Sequence, residues 1–206
     1  MRLTVAGISE GQPIPGPFAF AVADPDQHFR FGDNRNPRVT WADAPSGTRS
    51  FALLVVDADV PSEATNVNQE GKTVPKDLRR VDFFHWVRVD IPAEVDEIEE
   101  GEDADGVVVG GKDPGPTDKG VNGINGFTDF FAGDDTLKGV YGGYDGPAPP
   151  WNDERLHNYT FTLYALDVAS LGQQGNFTGE DALKAMQGHI LDQASVTGTY
   201  SLNPNI

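Results

Sequence analysis

The chain has 206 residues, of which 38% are hydrophobic, and this is enough apolar material for one core but not for two large ones. We therefore predict a single domain that spans residues 1–206. Cysteine is absent, which excludes disulfides, cysteine-ligated zinc and thiol nucleophiles, and the net charge of −17 disfavours binding to nucleic acid.

No segment of the sequence has the pattern of a leader or of a membrane span. The first residues lack a basic region followed by an apolar run and a small-residue cleavage site. No window approaches the ~20 apolar residues that a membrane helix requires. We expect a soluble, cytoplasmic protein without membrane insertion.

The composition predicts a mainly β fold, because 24 glycines and 15 prolines separate short apolar runs. In chain order we predict strands at Phe18–Val22, Arg38–Trp41, Ser50–Asp57, Phe84–Ile91, Tyr159–Leu166 and Ser195–Leu202. The stretches 61–81 and 110–150 lack periodicity and are typical of long loops, which in compact domains are often functional.

One helix is predicted near the C-terminal end of the chain. Thr178 is its expected N-cap, and Asp181 stands at the third helical position, as in a capping box. The apolar residues that follow at helical spacing are Leu183, Met186, Ile190 and Leu191. We expect this apolar stripe to pack on the sheet.

Polar side chains lie at the ends of three predicted strands. Asp57 and Asp59 follow a long apolar run and can face a cleft, although a lone D-x-D more often stabilises a turn. His85 is predicted at the start of the next strand, and its alternative is a buried histidine bonded to a backbone carbonyl. His157 precedes another strand and shares a face with Tyr159.

The loop Y-G-G-Y-D-G-P-A-P-P-W at 141–151 is dense in glycine and proline. Glycine lets backbone amides approach a ligand closely, and proline stiffens the chain. We interpret this loop as the rim of an anion-binding cup between the aspartate strand and the His-x-Tyr strand. The alternative is an ordinary surface loop.

Several motifs of catalysis and phosphate binding are excluded. G-V-V-V-G-G-K at 106–112 has the letters of a phosphate loop, but Asp113 replaces the required Ser or Thr and the next residues, P-G-P, prevent a helix. The patterns G-x-S-x-G and H-E-x-x-H and the dinucleotide fingerprint are absent. We predict no catalytic residue, no metal ligand and no cofactor.

Taken together and in this order, the segments resemble the phosphatidylethanolamine-binding protein family, in its bacterial and archaeal, Raf kinase inhibitor-like branch. The matching segments are F-G-D-N-R-N-P-R-V-T-W from Phe31, V-D-A-D-V-P, F-F-H-W-V-R-V-D-I-P-A, G-V-N-G-I-N-G-F, Y-D-G-P-A-P-P and H-N-Y-T-F-T-L-Y-A-L-D. The resemblance covers residues 11–202, nearly the whole chain.

This resemblance implies an antiparallel β-sandwich with a few peripheral helices and a small anion-binding pocket. The ligand-binding residues that it implies are Asp57, Asp59, His85, Gly146, Pro147, Pro150, His157 and Tyr159. Two positions depart from the family pattern: Ala58 stands where Pro is common, and Asn158 stands where Arg is common. The loss of that arginine is expected to remove a cation that could pair with Asp59.

The predicted loop 61–81 is longer than in many relatives. It is also the most basic part of an acidic chain, with Lys72, Lys76, Arg79 and Arg80. We expect it to overhang the pocket and to attract phosphorylated ligands.

Three functional hypotheses follow from these residues. The favoured one is a non-catalytic binding protein in which His85 and His157 hold a phosphate-like group or a phosphorylated headgroup, Tyr159 donates its hydroxyl, and affinity falls at high pH. The second is a hydrolase of small phosphorylated or ester substrates that uses the same acid–base groups. The third is a kinase- or protease-inhibitor-like regulator that docks on a partner protein. Relatives of this branch often form dimers, which implies a homodimer.

Overall fold

The computed structural model describes the whole chain, residues 1–206. The strands are β1 (Arg2–Val5), β2 (Ala21–Asp24), β3 (His28–Phe31), β4 (Val39–Ala42), β5 (Ser50–Pro61), β6 (Arg80–Pro92), β7 (Glu97–Ile98), β8 (Gly115–Thr117), β9 (Gly120–Asn122), β10 (His157–Leu166) and β11 (Ile190–Tyr200). The helices are α1 (Phe127–Phe130) and α2 (Gly179–Met186), and Gly16–Phe18 forms a 3₁₀ turn. Neither helix has the length needed to cross a membrane.

The largest sheet has six antiparallel strands in the order β11-β10-β5-β6-β9-β8. Strand β5 lies in its interior, and its run F-A-L-L-V is buried on both faces. A strand with two buried faces has a continuous apolar sequence instead of an alternating one. This explains why the run from Phe51 is the most apolar of the chain.

A second sheet, with the order β1-β4-β7, packs on one face of the large sheet. Val39, Trp41 and Ile98 of the small sheet share one buried cluster with residues of β5, β6 and β10. The opposite face of the large sheet is covered by α2 through Ala182 and Met186. The predicted antiparallel sandwich with peripheral helices is confirmed.

Helix α2 begins as predicted and ends earlier. Its capping box is present, since the Thr178 hydroxyl accepts the Asp181 amide at 3.2 Å and the Asp181 carboxylate accepts the Thr178 amide at 3.0 Å. The helix ends after eight residues, and Gly188 turns the chain with φ of 83°. The prediction that Ile190 and Leu191 extend the helical stripe is wrong, because both lie exposed on β11.

The predicted strands differ from the structure in their bounds, and three differences are the most informative. Strand β5 does not end at Asp57 but continues to Pro61, and β6 begins four residues before Phe84. The strand predicted to start at Phe18 starts at Ala21, because the preceding residues form the 3₁₀ turn.

A β-bulge in β6 positions one of the predicted site residues. On β5, Val55 pairs with Trp86 and Val56 pairs with Phe84, so His85 is an additional residue without a partner. A bulge re-aims side chains and often lies next to a functional site. Here the centroids of the His85 and Tyr159 rings are 5.1 Å apart, on the face between the two sheets.

Candidate functional site

A cavity of about 200 Å³ opens where β5 ends and where β6 and β10 begin. The predicted residues that line it are Asp57, His85, Pro150, His157 and Tyr159. Much of the remaining wall is apolar and includes Phe83, Phe127 and Phe130. The fold thus brings together polar side chains that are far apart in the sequence, and it surrounds them with aromatic rings.

His157 is fully buried at the start of β10 and lies between two carboxylates. Its Nδ1 is 2.6 Å from Asp57 Oδ2, and its Nε2 is 3.1 Å from Asp153 Oδ2. Carboxylates only accept hydrogen bonds, so both ring nitrogens donate and the ring is an imidazolium. Burial opposes this charge, but the hydrogen bonds to Asp153 and Asp57 outweigh it and raise the pKa of His157 to about 9.

This arrangement corrects the expectation that His157 itself holds a ligand. Both of its N–H groups are already used within the chain. Asp57 and His157 together form what we call the cavity floor. His157 therefore contributes a positive charge to this floor, and it fixes the orientation of Asp57. It has no hydrogen bond left to offer to a bound anion.

His85 is the histidine that faces the cavity with a free nitrogen. It is buried in the interior of β6 instead of at its start, and its Nδ1 donates to the Asp145 carbonyl at 2.8 Å. Burial lowers the pKa of His85 below 6.5, although the charge of Asp57 opposes this shift. The ring is therefore neutral near pH 7, and Nε2, which has no hydrogen-bond partner in the chain, presents a lone pair.

Tyr159 places an unpaired hydroxyl beside His85. The side chain is 1% exposed, and its oxygen has no hydrogen-bond partner in the chain. Burial and the charge of Asp57 raise the pKa of Tyr159 well above 10, so the group stays a phenol. A buried polar group without a partner costs about 1–3 kcal/mol, and a ligand that pairs with it recovers this free energy.

The Gly-Pro rim offers fewer amides than the sequence pattern predicts. The Gly146 amide donates to Asn34 at 2.8 Å, and the Pro147 carbonyl accepts the Ala21 amide at 3.1 Å, so both residues support the loop without lining the cavity. Proline has no amide hydrogen. Ala148 lines the cavity, and its amide is the one in the rim without a hydrogen-bond acceptor in the chain, although nothing in its local sequence distinguishes it.

The loop between β5 and β6 overhangs the cavity, as expected. Ser62, Glu63, Ala64, Val67 and Asn68 of this loop lie in the wall, so the charged side chain that it brings to the wall is acidic. Its lysines, Lys72 and Lys76, are exposed and lie outside the wall. The expectation that these lysines attract phosphorylated ligands directly is therefore wrong, because neither side chain reaches the cavity.

The buried side chain of Asn152 holds the overhanging loop through several hydrogen bonds. Its Oδ1 accepts the Asn68 amide at 3.0 Å, and its Nδ2 donates to the carbonyls of Asn66 at 2.8 Å and Lys72 at 3.0 Å. The wall is thus fixed on the segment that follows the rim. No sequence motif indicates that Asn152 holds this loop, because the role depends on the contact between two loops.

The family assignment follows from a comparison of the whole chain. The model of the family described as phosphatidylethanolamine-binding protein matches residues 4–201. The chain belongs to the phosphatidylethanolamine-binding protein family. A UPF0098 protein of Chlamydia muridarum is 31% identical over 200 residues, which are 97% of this chain and 98% of the relative. The UPF0098 protein YbhB of Escherichia coli is 26% identical, over 98% of this chain and 100% of the relative.

Solved structures of this family have the same fold. A putative phosphatidylethanolamine-binding protein homologue of Chlamydia trachomatis superposes with a TM-score of 0.64 and is 27% identical, over 97% of this chain and 95% of its own. YbcL of Escherichia coli, described as a new member of the mammalian family, superposes with a TM-score of 0.68 over 97% of both chains. Because the identity with YbcL is 23%, this second comparison supports the fold alone.

Asp59 of this phosphatidylethanolamine-binding family member has a structural role and does not line the cavity. Its Oδ2 accepts the backbone amide of Asn158 at 3.0 Å and the Asn158 side-chain amide at 2.8 Å. Its Oδ1 lies 2.7 Å from Nε of Arg155. The expectation that Asp59 lacks a cation is therefore wrong, because Arg155, three residues before Asn158, supplies one.

Proposed function

We propose that this chain is a non-catalytic binding protein whose cavity receives a small phosphate-like group. The observation that carries the proposal is the pair of unpartnered groups, His85 Nε2 and the Tyr159 hydroxyl, which face one cavity beside the free amide of Ala148. A cavity with mostly apolar walls and a few convergent polar groups is typical of a ligand site.

The protonation states favour a phosphate monoanion. Neutral His85 accepts a hydrogen bond, whereas Tyr159 and Ala148 donate. A phosphate monoester that keeps one proton offers one O–H to His85 and two further oxygens to the donors. The dianion has no proton to give, so its binding requires that His85 be protonated against the cost of burial.

Methyl phosphate is expected to bind wild-type protein and to lose affinity when either unpartnered group is removed. Tyr159→Phe should raise the Kd about fivefold, since one hydrogen bond is lost, and His85→Ala should raise it about tenfold or more. The measurement is an NMR shift titration. His189→Ala is the matched control, because this histidine is exposed and contacts Asp167 outside the cavity.

Equal affinity in wild type and in both cavity variants would contradict the proposed function. The same samples are assayed for phosphate release. Turnover by wild type that is lost in His85→Ala and kept in His189→Ala would replace binding by hydrolysis as the function of the cavity.

The affinity for methyl phosphate is expected to decrease about tenfold per pH unit above pH 7. The free ligand loses its second proton with a pKa of about 6, and His85 does not replace this proton because its pKa is lowered. Tyr159 keeps its proton throughout because its pKa is raised. Titrations between pH 6 and pH 8.5 check this, and a constant Kd over that range would show that no proton is shared in the complex.

A further inference from the structure

A buried ion pair lies behind the cavity floor and does not line the cavity. The guanidinium of Arg80 contacts both carboxylate oxygens of Asp153, with Nη1 2.5 Å from Oδ2 and Nη2 3.0 Å from Oδ1. The side chains are 6% and 1% exposed. A two-point contact of this kind fixes the orientation of the carboxylate as well as its charge. The sequence pattern places Arg80 in a basic loop and gives no signal for Asp153.

This ion pair continues into the floor through one shared oxygen. Oδ2 of Asp153 contacts Arg80 Nη1 and also His157 Nε2, and His157 in turn contacts Asp57. We propose that Arg80 and Asp153 are positioning residues: Asp153 holds His157 in one orientation with both ring nitrogens protonated, and Arg80 orients that carboxylate and offsets part of its charge. The charge of the cavity floor is thereby controlled from outside the cavity. This inference deepens the proposed function and rests on it for its ligand readout.

The charges along this chain of contacts alternate and cancel. Asp57 and Asp153 are negative, and His157 and Arg80 are positive, so the four groups sum to zero. Without the Arg80 charge the sum is −1, and without the Asp153 charge it is +1. Besides the two carboxylates, the titratable neighbours of His157 are His85 on β6, whose pKa the His157 charge lowers, Tyr159 on β10, and its cross-strand partner Tyr200 on β11, which stays a phenol because burial raises its pKa to about 12.

The same guanidinium also fastens the overhanging loop. It donates to the carbonyls of Pro75 at 2.9 Å and Leu78 at 3.1 Å, and to the carbonyl of Asp59 at 2.8 Å. One side chain therefore joins the loop, the end of β5 and the floor. Lysine keeps the charge but lacks the planar set of five donors, so it cannot make all of these contacts together.

The test is the titration of the His157 ring by NMR in the full-length protein without ligand. Wild type is expected to titrate near pH 9. Asp153→Asn should lower that pKa by about 1–3 units, because a neighbouring negative charge is removed. Arg80→Met should raise it, because Asp153 then acts on His157 without a compensating cation. Arg79→Met, at the exposed neighbouring position, should leave it unchanged.

Shifts of opposite sign separate this role from a merely structural one, which would move both variants in the same direction or neither. Should Asp153→Asn fail to fold, Arg80→Lys keeps the inference testable. It should retain the His157 pKa, because the charge is kept, while amide exchange in residues 62–79 becomes faster. An unchanged pKa in Arg80→Met, or a wild-type pKa near 6.5, would overturn the inference.

The ligand readout distinguishes this inference from the proposed function. Arg80→Met should weaken methyl phosphate binding several-fold, because the floor becomes negative, and Arg79→Met should not. If neither wild type nor any variant binds methyl phosphate, while the His157 pKa shifts as described, the proposed function fails and the positioning role stands. If wild type binds and the pKa does not shift, the positioning role fails.

Discussion

Replacing Gly146 by alanine is expected to lower the free energy of unfolding by about 3 kcal/mol, at the upper end of the cost of overpacking. A Cβ at this position would lie 1.9 Å from the carbonyl oxygen of Phe18. That oxygen belongs to the backbone and accepts the Tyr144 hydroxyl at 2.5 Å, so it cannot rotate away. Relief requires a shift of the rim itself. Urea unfolding followed by tryptophan fluorescence measures the change.

Gly133→Ala is the matched control for this substitution. Gly133 is exposed and does not have a positive φ, and a Cβ at this position would have no other atom within 4 Å. Its replacement should change the free energy of unfolding by less than about 0.5 kcal/mol. If Gly146→Ala is as stable as this control, the rim does not pack on Phe18, and the position of the Ala148 amide at the cavity is then wrong as well.

The free energy of unfolding is expected to fall by roughly 3 kcal/mol between pH 6.5 and pH 9, because the pKa of His157 is raised to about 9 in the folded state. A histidine with a raised folded pKa stabilises the protein fully below the unfolded value of 6.5. Its contribution is lost as the pH rises through 9. Urea unfolding at a series of pH values measures this slope.

Two variants test whether His157 causes this decrease in the free energy of unfolding with pH. His157→Gln should be less stable at every pH and should flatten the decrease between pH 6.5 and pH 9, whereas His189→Gln should retain it. Two other groups act outside this window. His85 has a lowered pKa and destabilises the fold as the pH drops below 6.5, and Asp153 has a lowered pKa and loses its contribution below its unfolded value of 3.8. A slope that persists in His157→Gln would contradict the two-carboxylate geometry.

The longer regular elements were predictable, because the patterns that specify them are local, whereas the short strands β1, β3, β7, β8 and β9 and helix α1 were not identified. The apolar run of β5 and the capping box of α2 depend on neighbouring residues, and both were identified. The end of α2 was not, since Ile190 and Leu191 fit helical spacing as well as they fit a strand. Pairing of β11 with β10 decided between the two, and this is a long-range contact.

The candidate site was predictable in its members but not in their tasks. Asp57, His85, His157 and Tyr159 were identified by the family resemblance, and they do line one cavity. The binding hypothesis gave both histidines the same task, to hold the ligand. The structure separates them, because Asp153 takes the second nitrogen of His157, while a bulge in β6 turns His85 to the cavity.

The mainly β class, the acidic charge and the polar residue types at the cavity can be predicted without a structure, because they depend on composition and on near neighbours. The tertiary structure alone decided which polar atoms remain free. Arg80 on β6 and Asp57 on β5 lie far along the chain from Asp153 and His157, and the hydrogen bonds that join them to this pair form only when β5, β6 and β10 align. Whether a buried nitrogen is a donor, an acceptor or already paired depends on those contacts, and so does the chemistry of the cavity.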